Sequence, residues 1–119
     1  MAVNPKILIV EDDQAVLEVE KLLLSGRYNV ITATDGGEAV KEYVEHRPSL
    51  VLMDIMLPVM DGVQATREIL KIDSNARIVG VTAYAENRGE ELLREGALDV
   101  LKKPFSRSGL VETIERYLK

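Results

Sequence analysis

The chain has no cysteine, no tryptophan, a single phenylalanine and a single histidine among its 119 residues. Without thiols there is no disulfide, no thiolate metal site and no cysteine nucleophile, a composition that fits a reducing compartment. With only four tyrosines beside the one phenylalanine, the core must be filled mainly by aliphatic and methionine side chains. Long apolar runs are missing too. Nothing approaches the ~20 residues of a membrane span, and the start, MAVNPKILIV, has neither the basic residues nor the long apolar stretch of a signal peptide. A cytoplasmic protein with no membrane partner is therefore expected. Positive charge is also scarce: 15 Lys and Arg stand against 20 Asp and Glu, for a net charge of -5. The basic residues are scattered apart from the pair Lys102-Lys103. No basic face exists to neutralise phosphates, so no direct nucleic-acid contact is expected.

What is present suffices for one ordinary domain over residues 1–119, without linker, low-complexity stretch or internal repeat. Short apolar or β-branched runs recur at KILIV (6–10), NVITA (29–33), LVLMD (50–54), IVGVT (78–82) and DVLK (99–102) and read as strands. Segments of helical spacing separate them. The apolar positions are Val16, Val19, Leu22 and Leu23 in the first, Ala39, Val40, Tyr43 and Val44 in the second, and Val63, Thr66, Ile69 and Leu70 in the third. Leu92 and Leu93 mark a thin fourth helix that also contains Gly89; Leu110, Val111, Ile114, Tyr117 and Leu118 mark a fifth. Asp35-x-x-Glu38 reads as a capping box and Ser106 as an N-cap, while Gly26, Pro48 and Gly96 stand just past helix ends. Five strands each followed by a helix predict a doubly wound α/β fold with a parallel sheet. Order 2-1-3-4-5 places a crevice between strands 1 and 3, at the C-terminal ends of the strands.

That topology carries several polar groups to one edge. Strand 1 ends in Glu11-Asp12-Asp13, strand 3 in Asp54, strand 4 in Thr82 and strand 5 in Lys103-Pro104. Singly these are bland: an acidic strand end is usually a turn or N-cap, Thr82 a β-branched strand residue, Lys102-Lys103 a solvated loop. Jointly they are not, because accident would have to bring four such groups to one sheet edge. Clustered carboxylates repel each other in a partly desolvated cleft unless a cation offsets them. Oxygen ligands without His or Cys select a hard divalent ion, Mg²⁺ in the first place. The set suits phosphoryl transfer to Asp54, with the metal and Lys103 neutralising phosphoryl charge and Thr82 binding a product oxygen. His46, near a helix C-terminus where a cation is favourable, needs no other role. Met53, Met56 and Met60 read as core or rim packing.

ILIVEDD, VLMDIMLPVMDG, VTA and KKPF, in this order and over nearly the whole chain, resemble the signature motifs of the response-regulator receiver domain of two-component signalling. The resemblance implies that Asp54 is the phosphoacceptor, Glu11 and Asp12 the Mg²⁺-binding acid pair, Thr82 the switch hydroxyl and Lys103 the phosphate-binding lysine. It further implies that the Met56 carbonyl is a metal ligand and that the Lys103-Pro104 peptide is cis; Asp13, Asp61 and Lys102 match no catalytic position. The implied partners are a histidine kinase or histidine phosphotransfer protein and a downstream protein effector. The implied output is a change in the face made by helix 4, strand 5 and helix 5. The protein would be a signalling switch rather than an enzyme, a monomer or weak dimer, similar to single-domain chemotaxis or phosphorelay regulators.

Departures qualify the picture. Three residues before the lysine, where the family often has an aromatic ring that turns inward, stands Val100. Gly109 and Thr113 replace charged residues through which many DNA-binding members dimerise. Met56 and Tyr84 occupy the two positions that border the path of attacking water, and neither orients water, so self-dephosphorylation is expected to be slow. Rival readings fare worse. A haloacid-dehalogenase-like phosphohydrolase needs a second acid where Met56 stands, and a flavodoxin-type nucleotide site needs a Gly/Ser/Thr-rich loop where EDDQA stands. A receiver that is never phosphorylated would not need every catalytic position filled.

Overall fold

Tertiary structure was taken from a computed structural model, which describes residues 4–83 and 88–118. The chain alternates β1 (Lys6–Val10), α1 (Gln14–Leu24), β2 (Asn29–Ala33), α2 (Gly36–His46), β3 (Leu50–Asp54), α3 (Gly62–Ile72), β4 (Ile78–Thr82), α4 (Arg88–Glu95), β5 (Asp99–Lys102) and α5 (Arg107–Leu118). All strand pairs are parallel and the sheet order is β2-β1-β3-β4-β5. In register, Val10 pairs with Met53 and Asp54 with Val81, so β1, β3 and β4 end at the same edge.

Strands buried on both faces explain the continuous apolar runs. Alternate residues serve two separate cores. Ile7, Ile9, Leu50, Leu52, Val79 and Val81 pack with Leu17 and Leu24 of α1 and with Leu110 and Ile114 of α5. Leu8, Val10, Val51, Met53 and Ile78 pack on the other face with Ala39 and Tyr43 of α2, Val63, Ala65 and Ile69 of α3 and Leu92 of α4. Local signals fix the helix ends. Asp13 caps α1 by accepting from Ala15 and Val16 N–H, Asp35 caps α2 from Glu38, Asp61 caps α3 from Gln64, and Ser106 Oγ accepts from Gly109 N–H. Gly26 and Gly96, past the ends of α1 and α4, take left-handed φ of 81° and 117°.

The inward face of α1 differs from the sequence expectation. Its buried row is Leu17, Glu20 and Leu24, whereas Val19 and Leu22 are 54% and 72% exposed. Packing of Leu17 and Leu24 against the sheet sets the inward face, and an acid in the middle of that row shifts the apparent stripe by one position. Val44 and Leu93 likewise face solvent while Tyr43 and Leu92 anchor their helices. The short α4 buries only Gly89 and Leu92. Ion pairs from both its ends supplement that thin anchor: Arg88 with Asp61, and Glu95 with Arg67, each reaching toward α3. At the start of α3, Gly62 lies against the end of β3 so closely that a Cβ there would sit 1.9 Å from the Asp54 carbonyl oxygen.

Candidate functional site: an acidic cleft at the strand ends

Glu11 leaves β1 with its N–H bonded to the Ala33 carbonyl, at 3.0 Å, and its side chain buried. Asp54, the last residue of β3, is buried as well, and its Oδ1 accepts the Ile55 N–H at 2.7 Å. Thr82 ends β4 with little exposure, and its carbonyl accepts the Lys103 N–H at 2.8 Å, so the sheet ladder carries Lys103 to the cleft. The Lys103-Pro104 peptide is cis. Carboxylate oxygens of Glu11, Asp12 and Asp54 all lie within 4.8 Å of one another; Asp12 is exposed and the other two are buried. Lys103 Nζ is 2.5 Å from Glu11 Oε1 and 3.7 Å from Asp54 Oδ2. The groups border a cleft of about 500 Å³, to which Met56 and Thr82 also contribute. Sequence reasoning thus named Glu11, Asp12, Asp54, Met56, Thr82 and Lys103, and all line one recess.

Electrostatics make that recess hungry for a cation. Burial, and then the neighbouring Glu11, push the Asp54 carboxyl up to about 7, against the opposing pull of Lys103 and the Ile55 N–H. Burial alone would lower the Lys103 ammonium, but the Glu11 hydrogen bond and the charges of Asp54 and Glu11 outweigh it and raise it. One lysine therefore serves three converging carboxylates. A hard divalent ion held by oxygen ligands fits this donor set, because it would offset the charge of the converging carboxylates.

Two residues escaped the sequence reading. Glu20 is 3% exposed, and its Oε1 has no hydrogen-bond partner among the described residues. Burial first, then Glu11, push its carboxyl up to about 8. Leu17, Glu20 and Leu24 follow i, i+3, i+7 spacing, but the acid in the middle hides the row from a reading of apolar periodicity. Arg88, the first residue of α4, donates from Nη2 to Asp61 Oδ2 at 2.9 Å, and its Nη1 lies 3.6 Å from Met56 Sδ. No local pattern announces that contact, which joins positions on different elements. Met56 itself is 65% exposed and turned toward Arg88, so its side chain covers the cleft less than rim packing implied. Tyr84 lies outside the described residues. Val100 packs against Gly89, with no ring in the position the family often uses. His46 Nε2 is 3.2 Å from Glu42 Oε2 on the last turn of α2, and His46 is not among the residues that line the cleft.

Comparison with known proteins agrees with this geometry. The chain is 36% identical over 118 residues to the chemotaxis protein CheY of Thermotoga maritima, covering 96% of this chain and 98% of that protein. It is 37% identical over 117 residues to the polar-differentiation response regulator DivK of Brucella anthropi, covering 94% of each. Among solved structures, the receiver domain of the sensor histidine kinase PA1611 from Pseudomonas aeruginosa superposes with a TM-score of 0.91 at 35% identity, over 98% of both chains. That structure has a magnesium ion coordinated in its active-site cleft. A family model for the response regulator receiver domain matches residues 7–115, and with the parallel 2-1-3-4-5 sheet and the acidic cleft at its edge, the chain belongs to that family.

Proposed function

We propose that the protein is a phosphorylation-dependent switch in which Asp54 accepts a phosphoryl group from a histidine kinase or histidine phosphotransfer protein. The observation that carries this reading is the meeting of Asp54 with two further carboxylates and Lys103 at a single sheet edge. An ionised Asp54 oxygen attacks phosphorus, the bond to the donor breaks, and its electron pair leaves with the donor. Glu11, Asp12, Asp54 and the Met56 carbonyl would hold Mg²⁺, which when bound supplies positive charge to the phosphoryl oxygens and the carboxylates around them. Lys103 transfers its ammonium from Glu11 to a phosphoryl oxygen. The Thr82 hydroxyl donates to another, drawing the chain after β4 toward the cleft.

That movement reshapes the face made by α4, β5 and α5, where a downstream protein effector binds. It shifts an equilibrium between two arrangements rather than creating a new one. The thin attachment of α4, through Leu92 and two ion pairs, makes it the element most easily displaced. The chain catalyses its own phosphorylation and loses the phosphoryl group slowly, so its role is signalling rather than turnover. Its setting is the cytoplasm; among the described residues no helix is long and apolar enough to cross a membrane. The test is labelling with a small donor such as acetyl phosphate. Mg²⁺-dependent, hydroxylamine-labile phosphate should appear in the wild type and be absent from Asp54→Asn; labelling of the variant at the wild-type rate would refute the assignment.

A further inference from the structure

We infer that Arg88 is a specificity-determining residue for the phosphodonor, favouring donors whose leaving group departs as an anion, such as acyl phosphates, over donors with a phosphorus–nitrogen bond. The inference rests on Asp54 being the acceptor. Arg88 lies beside Met56, a residue on the border of the Asp54 cleft. In an in-line transfer to Asp54 the leaving atom lies on the far side of phosphorus, toward the opening of the cleft. Met56 borders that opening, and the guanidinium Nη1 of Arg88 is 3.6 Å from Met56 Sδ. A second recess of about 550 Å³ shares Asp12 and Met56 with the cleft and is bordered also by Asp61 and Arg88. Among the described residues, the charged groups lining both recesses are, apart from Arg88, acids and Lys103, and Lys103 is already engaged by Glu11. Arg88 therefore supplies the positive charge on the donor side, while Lys103 supplies it on the acceptor side.

The pairing of Arg88 does not cancel this role. Nη2 binds Asp61 and Nε lies 3.5 Å from Glu91, which leaves Nη1 turned to Met56 and the opening. A guanidinium has five N–H groups in a planar fork, more than these partners use, so it can meet a departing oxygen without leaving Asp61. Asp61 is itself held: burial would raise it, but the Gln64 N–H and Arg88 keep its carboxyl below the usual range.

The chemistry separates two donor classes. With acetyl phosphate, the Asp54 oxygen forms a bond to phosphorus and the P–O bond breaks, its electron pair staying on oxygen. Acetate leaves as an anion and no proton is needed, so a nearby guanidinium stabilises the charge that develops. With phosphoramidate, the nitrogen is already protonated at neutral pH; the P–N bond breaks, the pair goes to nitrogen and neutral ammonia departs. Here the leaving atom starts cationic and ends neutral, so Arg88 opposes binding of the donor and gains nothing as the bond breaks. Attraction of Arg88 for the phosphoryl oxygens is common to both donors and drops out of the ratio of their rates.

The experiment is labelling at saturating Mg²⁺ with each donor in turn, for the wild type, Arg88→Gln and Arg88→Lys. The ratio of acetyl phosphate to phosphoramidate rates should fall about tenfold in Arg88→Gln, the scale of one partly solvated charge near a developing one, and stay near wild type in Arg88→Lys. Asp61→Asn, which keeps a capping oxygen for α3 and removes the counter-charge, should raise the ratio. Equal loss with both donors in Arg88→Gln would overturn the inference, because Arg88 would then act on the phosphoryl group or on the position of α4. An unchanged ratio would overturn it too. If the wild type labels with neither donor, or Asp54→Asn labels with either, the acceptor assignment itself fails, which is a different result from a lost preference.

Discussion

Lys103 Nζ is hydrogen-bonded to Glu11 Oε1 across 92 positions of sequence, nearer than its 3.7 Å approach to Asp54. In the resting cleft the ammonium is thus the counter-ion of an acid assigned here to the metal. Replacing Lys103 with Met should tighten Mg²⁺ binding several-fold, because a competing charge is gone, and slow labelling by roughly 100-fold, the usual effect of losing one stabilising donor. The metal-free variant should also lose on the order of 3 kcal/mol of stability, since Glu11 is left buried and unpaired. Titration calorimetry and urea denaturation with and without Mg²⁺ check the two effects separately; a weaker Mg²⁺ affinity would contradict the first.

Asp54→Asn removes a carboxyl whose burial and whose neighbour Glu11 oppose its ionisation. The metal-free variant should be more stable than the wild type at pH 8, by roughly 1–3 kcal/mol, while still accepting the Ile55 N–H. Chemical denaturation in chelator measures this directly. Lower stability would mean that the acid is better satisfied than its surroundings indicate.

The pH dependence has a definite sign. Asp54 and Glu20 hold their protons up to about 7 and about 8 in the folded chain, whereas in the unfolded chain they release them near ~4. Between those limits the folded state binds more protons, so stability is greatest at the acid end and falls as pH rises. The metal-free melting temperature should therefore drop from pH 5 to pH 8. Glu20→Leu, which fills the same space without a charge to bury, should flatten the upper part of that fall and add about 1–3 kcal/mol at pH 8. A melting temperature that climbs over this range would exclude both assignments.

Added Mg²⁺ should act in the opposite direction. At ten times its dissociation constant, an ion that binds only the folded chain stabilises it by about 1.4 kcal/mol. Asp12→Ala should weaken that binding without altering the metal-free protein much, since Asp12 is exposed. Thermal melts against metal concentration test both points; an unmoved midpoint in millimolar Mg²⁺ would remove the metal from the site.

Beryllofluoride or phosphorylation should change amide exchange most within residues 82–95, the stretch that runs from the switch hydroxyl through α4. Changes confined to α1 and α2 would be incompatible with the proposed route of output.

The strands were legible in the sequence to the residue, because the short apolar runs of β1, β3 and β4 are buried on both faces and the half-buried edge strands β2 and β5 carry similarly short runs. Asp54, Thr82 and Lys103 were legible for the same reason: parallel strands deliver their C-terminal residues to one edge. The inward face of α1 was not, since a buried Glu20 at the centre of the row breaks the apolar spacing that reveals a helix face. Arg88 was not legible either. Its partners Asp61 and Met56 lie 27 and 32 positions away, and nothing in the local pattern around an arginine shows which acid it will meet.

The contact between Gly62 and the Asp54 carbonyl bears on where mechanical compliance lies. The first turn of α3 rests on the backbone of the acceptor with no side chain between them, and the Gly62 N–H is bonded to the Ile55 carbonyl at 2.9 Å. Helix α3 thus abuts β3 directly, its first turn in register with Asp54. Under the proposed switch, work done on the cleft by an arriving charge would be released in the other direction, through the end of β4, so that stiffness on one side of Asp54 would direct motion to the other.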